Sequence, residues 1–212
     1  MTNHLKRILV LAPHTDDGEM GAGGTIARLN EEGSEIYYVA FSSAAQSVPD
    51  GFPSDVLKTE VKAATFKLCI PEDRLVVYDF EVRKLNYFRQ EILESLVRLR
   101  NELAPDLVLV PSINDIHQDH AVVAAEAVRA FKNTRVLGYE LIWNNLIFNT
   151  QFFVKLNEAH VDAKIAALGE YRSQAGKNYM DPVFVKALAK TRGVQIGYPY
   201  AEAFEVIRWV MN

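Results

Sequence analysis

RILVLAPHTDDGEMGAGGT, residues 7–25, decides how the rest of the chain is read. Its first six residues, Arg7–Ala12, form a nearly continuous apolar run, as expected of a strand covered on both faces. A polar, glycine-rich turn follows, and a helix is predicted from Gly21 to Glu32, stopped by Gly33. Buried strand, tight turn and helix is the opening unit of a parallel α/β sheet. The same alternation repeats outward from it. Glu35–Ser42 is a second strand, rich in aromatic and branched residues. Ser54–Leu68 reads as a helix with Ser54 as N-cap, because Leu57, Val61, Ala64 and Leu68 recur at steps of 4, 3 and 4.

Arg74–Phe80 then reads as a strand, Tyr87–Leu103 as a helix stopped by Pro105, Asp106–Ser112 as a strand and Asp119–Phe131 as an alanine-rich helix. This β-α-β-α-β-α-β-α order predicts a doubly wound, mostly parallel, Rossmann-like α/β sheet with helices on both faces. From Arg135 the pattern shifts. Strands are expected at Arg135–Leu141, Phe148–Leu156 and Phe204–Val210, with a helix at Glu158–Tyr171. Tyr171–Tyr200, punctuated by glycine and proline, is expected to be loop-rich with a short helix at Val183–Lys190. The last third would add an edge to the sheet. With no repeat and no linker, residues 1–212 read as a single domain.

Composition narrows the function. Of the 212 residues, 49% are apolar, enough for a large core. Lys+Arg number 23 against 27 Asp+Glu, a net charge of −4, so nothing draws the chain generally to nucleic acid or anionic lipid. The single cysteine, Cys69, excludes an internal disulfide and a cysteine-rich metal cluster, and fits a reducing compartment. No apolar stretch reaches the ~18 residues needed to cross a bilayer, and the N-terminus lacks the features of a signal peptide. A cytoplasmic protein is expected.

Two segments carry the chemistry. One is Ala12–Thr25, directly after the first strand. The other is Asn114-Asp115-Ile116-His117-Gln118-Asp119-His120, after the fourth. In a doubly wound sheet both leave the carboxyl edge, where ligands bind. His14, Asp17 and His120 offer two imidazoles and one carboxylate, a common catalytic set for Zn²⁺ and also the facial triad of Fe(II). A cation there would acidify water. Asp16, pointing elsewhere, is free to accept its proton. His117 can donate a proton or stabilise an oxyanion, and Asp119 can hold the His117 imidazole in its tautomer. Other readings are that Gly21–Thr25 is a phosphate-binding turn and that the loop carboxylates are only helix caps. An acidic turn repels a pyrophosphate, however, and three of the five histidines fall in these two loops.

At these residues the sequence resembles the LmbE-like, or PIG-L-like, zinc-dependent de-N-acetylases. PHTDDGEMGAGG at residues 13–24 matches every fixed position of the family's PHxDDxxxGxGG, and His117-Gln118-Asp119-His120 matches its HxDH. The resemblance implies His14, Asp17 and His120 as ligands of zinc, or of Fe²⁺. It implies Asp16 as general base, His117 as acid or oxyanion stabiliser and Asp119 as the partner orienting His117. Thr15 stands where many members have Pro, and Gly18 where many have Glu. Leu57 stands where many have Arg.

The implied reaction removes the acetyl group from an N-acetylglucosamine-type sugar conjugate, a small molecule. Alternatives are hydrolysis of another acyl or N-glycosidic bond, or a non-catalytic nucleotide-binding protein. The family also implies a homo-oligomer, with Tyr171–Tyr200 as a candidate contact. Substrate contacts are expected from Arg83 beyond the third strand, Trp143 as an aromatic wall, and Arg172, with Gln174 beside it. His160 reads as a capping or surface residue and His4 as a surface one.

Overall fold

The computed structural model describes residues 5–211; His4 lies outside them. Seven strands form one sheet: β1 (Arg7–His14), β2 (Glu35–Ser42), β3 (Leu75–Val77), β4 (Leu107–Pro111), β5 (Arg135–Tyr139), β6 (Phe152–Leu156) and β7 (Tyr200–Arg208). Their order across the sheet is β3-β2-β1-β4-β5-β7-β6. The first five strands are parallel, and β7 and β6 extend the sheet by antiparallel pairing. The chain winds outward from β1 in one direction and from β4 in the other, so the order reverses between these two neighbours. The crevice at their carboxyl ends is where a doubly wound sheet binds ligands.

Six helices cover the sheet: α1 (Asp17–Glu31), α2 (Val56–Lys67), α3 (Arg89–Leu103), α4 (Gln118–Ala130), α5 (Glu158–Leu168) and α6 (Pro182–Gln195). Side chains alternate across a strand. Ile8, Val10 and Ala12 of β1 pack with residues of α1, α2 and α5 on one face. Leu9 and Leu11 pack with α3 and α4 on the other. Burial on both faces explains why β1 reads as an unbroken apolar run. No helix among the described residues is long and apolar enough to cross a membrane.

Several boundaries differ from the sequence expectation. Helix α1 starts at Asp17, four residues before the expected Gly21, so Gly21–Thr25 lies inside a helix and is not a phosphate-binding turn. Its glycines serve packing: a Cβ on Gly21 would sit 2.1 Å from the Tyr139 ring. Strand β3 is only three residues long, because Glu72–Arg74 forms a 3₁₀ turn. Strand β6 begins at Phe152 and not Phe148, since the chain first turns at Leu141–Asn145, where Leu141 O accepts from the N–H groups of Asn144 and Asn145. Helix α5 ends at Leu168, before Gly169. Helix α6 is nearly twice the expected length, capped by Asp181 Oδ1 on the Val183 N–H with Pro182 in its first turn.

Candidate metal centre

His14 is the last residue of β1, and His120 lies in the first turn of α4, just beyond β4. The two loops therefore flank the reversal point. His14 Nδ1 is 3.1 Å from Asp17 Oδ2. His120 Nε2 is 3.2 Å from the same oxygen and 3.3 Å from His14 Nδ1. Ligand atoms bound at ~2.0–2.1 Å to a tetrahedral ion lie about 3.3 Å apart. The spacing of all three pairs fits one divalent cation.

Each imidazole is braced on its far side, which leaves the inner nitrogen free to ligate. His14 Nε2 donates to Asp119 Oδ2 at 2.9 Å. His120 Nδ1 donates to Asp115 Oδ2 at 2.8 Å. Carboxylate–imidazole pairs of this kind fix the tautomer and strengthen a ligand. Asp119 is in turn held by the backbone N–H groups of Arg83 at 2.6 Å and Leu85 at 3.3 Å. To aim its N–H this way Arg83 adopts a left-handed φ of 67°, a conformation that costs an L-residue roughly 1–2 kcal/mol.

This geometry corrects one expectation. The Asp119 carboxylate orients His14 and not His117. Its backbone N–H donates to His117 Nδ1 at 3.2 Å instead, making His117 the N-cap of α4. The His117 proton is thereby directed to Nε2. The ring stacks on His120 with centroids 4.5 Å apart. His117 also offers an atom within 4.8 Å of His14 and His120, but its Nδ1 is engaged and Asp17 lies closer to both.

The charges follow from this arrangement. Burial alone would raise Asp17, but His120 and His14 hold it well below the usual carboxylate range. Burial opposes a proton on His14, yet Asp17 and Asp119 raise it to about 9. His120 is likewise raised to about 10 against burial by Asp17 and Asp115. A site that holds protons between these groups presents the same lone pairs to a cation. Burial, then the neighbouring Asp17 charge, raises Asp16 to about 6, with Lys177 and His14 working the other way. No side chain among the described residues hydrogen-bonds the Asp16 carboxylate. Burial, then His120 and His14, lowers His117 to about 4, so it is neutral at pH 7. Beneath the turn, burial pushes Glu19 up to about 8, where it meets the hydroxyls of Tyr38 and Tyr171.

A cleft of about 370 Å³ opens over these groups. Asp16, His117, Arg83 and Trp143 line it, as do Gln174 and Lys177. Trp143 stacks on Tyr179 at 4.1 Å between ring centroids. Arg172 is exposed and does not line the cleft, because the 3₁₀ turn at Arg172–Gln174 turns Gln174 inward instead. His160 caps α5 with Asn157 and contacts Glu31 at 2.5 Å. Asp115 carries no role that its residue type alone announces. Its place two residues before His117 and five before His120 was the available signal.

The chain is similar to several known proteins. The chain is 27% identical to the uncharacterised deacetylase YaiS of Escherichia coli K12 over 81% of this chain and 93% of that protein. It is 23% identical to the diacetylchitobiose deacetylase of Thermococcus kodakarensis, over 97% and 84% of the two chains. The crystal structure of the conserved protein TT1542 from Thermus thermophilus superposes with a TM-score of 0.80 at 28% identity, over 98% and 97% of the two chains. The PIG-L family, described as GlcNAc-PI de-N-acetylase, matches residues 9–131, which include the whole of both loops. With that match over more than half its length, and with both family motifs closing on a single three-donor site, the chain belongs to the PIG-L family.

Proposed function

We propose that the protein hydrolyses the acetamide of an N-acetylamino sugar, an N-acetylglucosamine-type conjugate, with zinc or alternatively iron(II) held by His14, Asp17 and His120. One observation carries the reading: three donor atoms lie 3.1–3.3 Å apart beside an unengaged carboxylate, Asp16, in an open cleft. A divalent cation at that site supplies Lewis acidity, polarising the acyl oxygen and acidifying water. Asp16 takes the proton from the attacking water. A C–O bond forms, the C–N bond breaks, acetate leaves, and the proton held by Asp16 passes to the departing amine. His117, neutral and carrying its proton on Nε2, donates a hydrogen bond to the oxyanion. Asp119 acts at one remove, by holding His14.

Membership of a de-N-acetylase family supports the bond that is cut. The diacetylchitobiose deacetylase relative supports an amino sugar as its bearer. Trp143 supplies a flat apolar wall suited to a sugar ring, and Arg83 a polar rim; the exposed Arg172 has no part. The single cysteine, Cys69, supports a reducing, cytoplasmic setting.

The test is to strip the protein with chelator, reload it with zinc or iron(II), and follow acetate and amine from N,N′-diacetylchitobiose and N-acetylglucosamine conjugates. Equal amounts of acetate and amine are expected. Release of free sugar without acetate would point to glycosidic cleavage. No product with either metal across the panel sinks the reading.

A further inference from the structure

Thr15 is the residue between the ligand His14 and the carboxylate Asp16, and its side chain does not hold it. The Thr15 hydroxyl is buried without a hydrogen-bond partner. Its carbonyl is gripped twice instead. Tyr38 donates to it at 2.9 Å from β2, and Tyr171 at 2.6 Å from the segment after α5. Both phenols also meet Glu19, in the first turn of α1. Tyr171 Oη lies 2.9 Å from Glu19 Oε1, and Tyr38 Oη makes a short contact with Oε2. The Gly18 N–H donates to Tyr38 Oη at 3.1 Å. All three side chains are essentially inaccessible to solvent. Two phenol hydroxyls thus span four oxygen contacts, which ties the Thr15 carbonyl and the Glu19 carboxyl into one network.

The arrangement depends on the glycine at position 18. A Cβ at position 18 would stand 2.6 Å from the Tyr38 ring, so Tyr38 reaches Thr15 only past a glycine. Glu19, the next residue along the helix, turns its carboxyl onto the two phenols. Packing alone does not call for this: an apolar cluster of the same shape would fill the space without the cost of burying three polar groups. The network fixes the peptide joining a metal ligand to the proposed base, where a misplacement of about 1 Å costs about 100-fold in rate.

We infer that Glu19, Tyr38 and Tyr171 clamp the carbonyl of Thr15 and thereby act as positioning residues for Asp16 in proton transfer. The inference rests on the reaction proposed above. Its test uses zinc-loaded full-length protein and N,N′-diacetylchitobiose. The variants are Tyr171→Phe, Glu19→Gln and Glu19→Leu, each in the parent and in an Asp16→Asn background. Hydrogen–deuterium exchange at residues 14–18 provides a second readout that needs no turnover.

Tyr171→Phe should lower kcat about tenfold with KM within about twofold. Glu19→Gln, which keeps one donor and one acceptor, should stay within about threefold of the parent, while Glu19→Leu loses more than Tyr171→Phe. With Asp16→Asn already in place, Tyr171→Phe should change kcat by less than about twofold, because residues acting through one another are not additive. Exchange at residues 14–18 should rise about tenfold in Tyr171→Phe, with β2 unchanged. A parental kcat in Tyr171→Phe overturns the clamp. So does an equal loss in the Asp16→Asn background, which would mark a general packing defect, or unaltered exchange. If Glu19→Leu does not fold, Tyr171→Phe and Glu19→Gln decide. If the parent releases no acetate with either metal from any substrate of the panel, the deacetylase reading fails and exchange alone decides the clamp.

Discussion

The turns after β1 and β4 meet at one point but hold their imidazoles in opposite ways. His120 is braced from inside its own loop, by Asp115 five residues earlier, and the same Asp115 accepts the His117 N–H at 2.8 Å. His14 is braced by Asp119, 105 residues away, and the peptide after it is gripped by Tyr38 and Tyr171, 23 and 156 residues from Thr15. The brace on His120 is local to the β4 turn, whereas the braces of the β1 turn come from distant parts of the chain. Side-chain contacts of long range form only once the fold has formed. A distant substitution should therefore reach His14, Asp16 and Asp17 more readily than His120.

The largest expected effect ignores this difference. His14→Ala and His120→Ala each remove one of three donors, and both should lose tight cation binding and activity together, as measured by metal analysis after dialysis and by acetate release. Asp16→Asn, from the same turn as His14, should keep its metal and lose about 10²–10⁴ in kcat. A metal-loaded Asp16→Asn protein working at the parental rate would remove Asp16 from the role of base.

The bracing carboxylates test the contrast directly. Asp115→Asn and Asp119→Asn should each weaken zinc by about 10–100-fold in competition titrations with a chromophoric chelator. Asp119→Asn should be the more damaging, because its carboxylate also holds the backbone of Arg83 and Leu85. The reverse order would show that the local brace is the critical one.

Packing differs between the two units as well. Gly21→Ala drives a methyl into Tyr139 and should cost about 1–3 kcal/mol in denaturant unfolding. Ala121→Gly, at an exposed position near the start of α4, should cost about 1 kcal/mol or less. Equal losses would mean that the β1 unit has more room than the Tyr139 contact implies.

The smallest effect concerns pH. Asp16 must be unprotonated to act, and burial together with Asp17 raises it to about 6. A nearby cation lowers it again. The acidic limb of kcat should therefore lie at or below pH 6, with less than about twofold change between pH 7 and 8. An acidic limb well above pH 6 in the pH–rate profile would argue against Asp16.

What could be read from the residues alone follows the same division. Strand β1 declared itself, since Ile8–Ala12 must be apolar on both faces, and β2 was placed at its observed bounds of Glu35–Ser42. His14, Asp17 and His120 were nominated by residue type and by the carboxyl-edge rule, and their donor atoms do lie together. The partner of Asp119 was misread because sequence proximity favours His117, while the direction of a carboxylate depends on how α4 lies against β1. The role of the glycines was also hidden. Close approach to Tyr139 and a phosphate-binding turn call for the same residue type, and only the early start of α1 separates them. Gln174 and Arg172 sit two apart in a 3₁₀ turn, where a small rotation decides which one enters the cleft.

The reversal of strand order has a consequence for how the molecule is made. His14 and Asp17 belong to one wing of the sheet and His120 to the other, so an ion shared by them is a rivet through the central seam. It cannot be gripped before strands one and four lie side by side, and once gripped it resists their parting. A chain produced under metal starvation would then forfeit durability along with turnover.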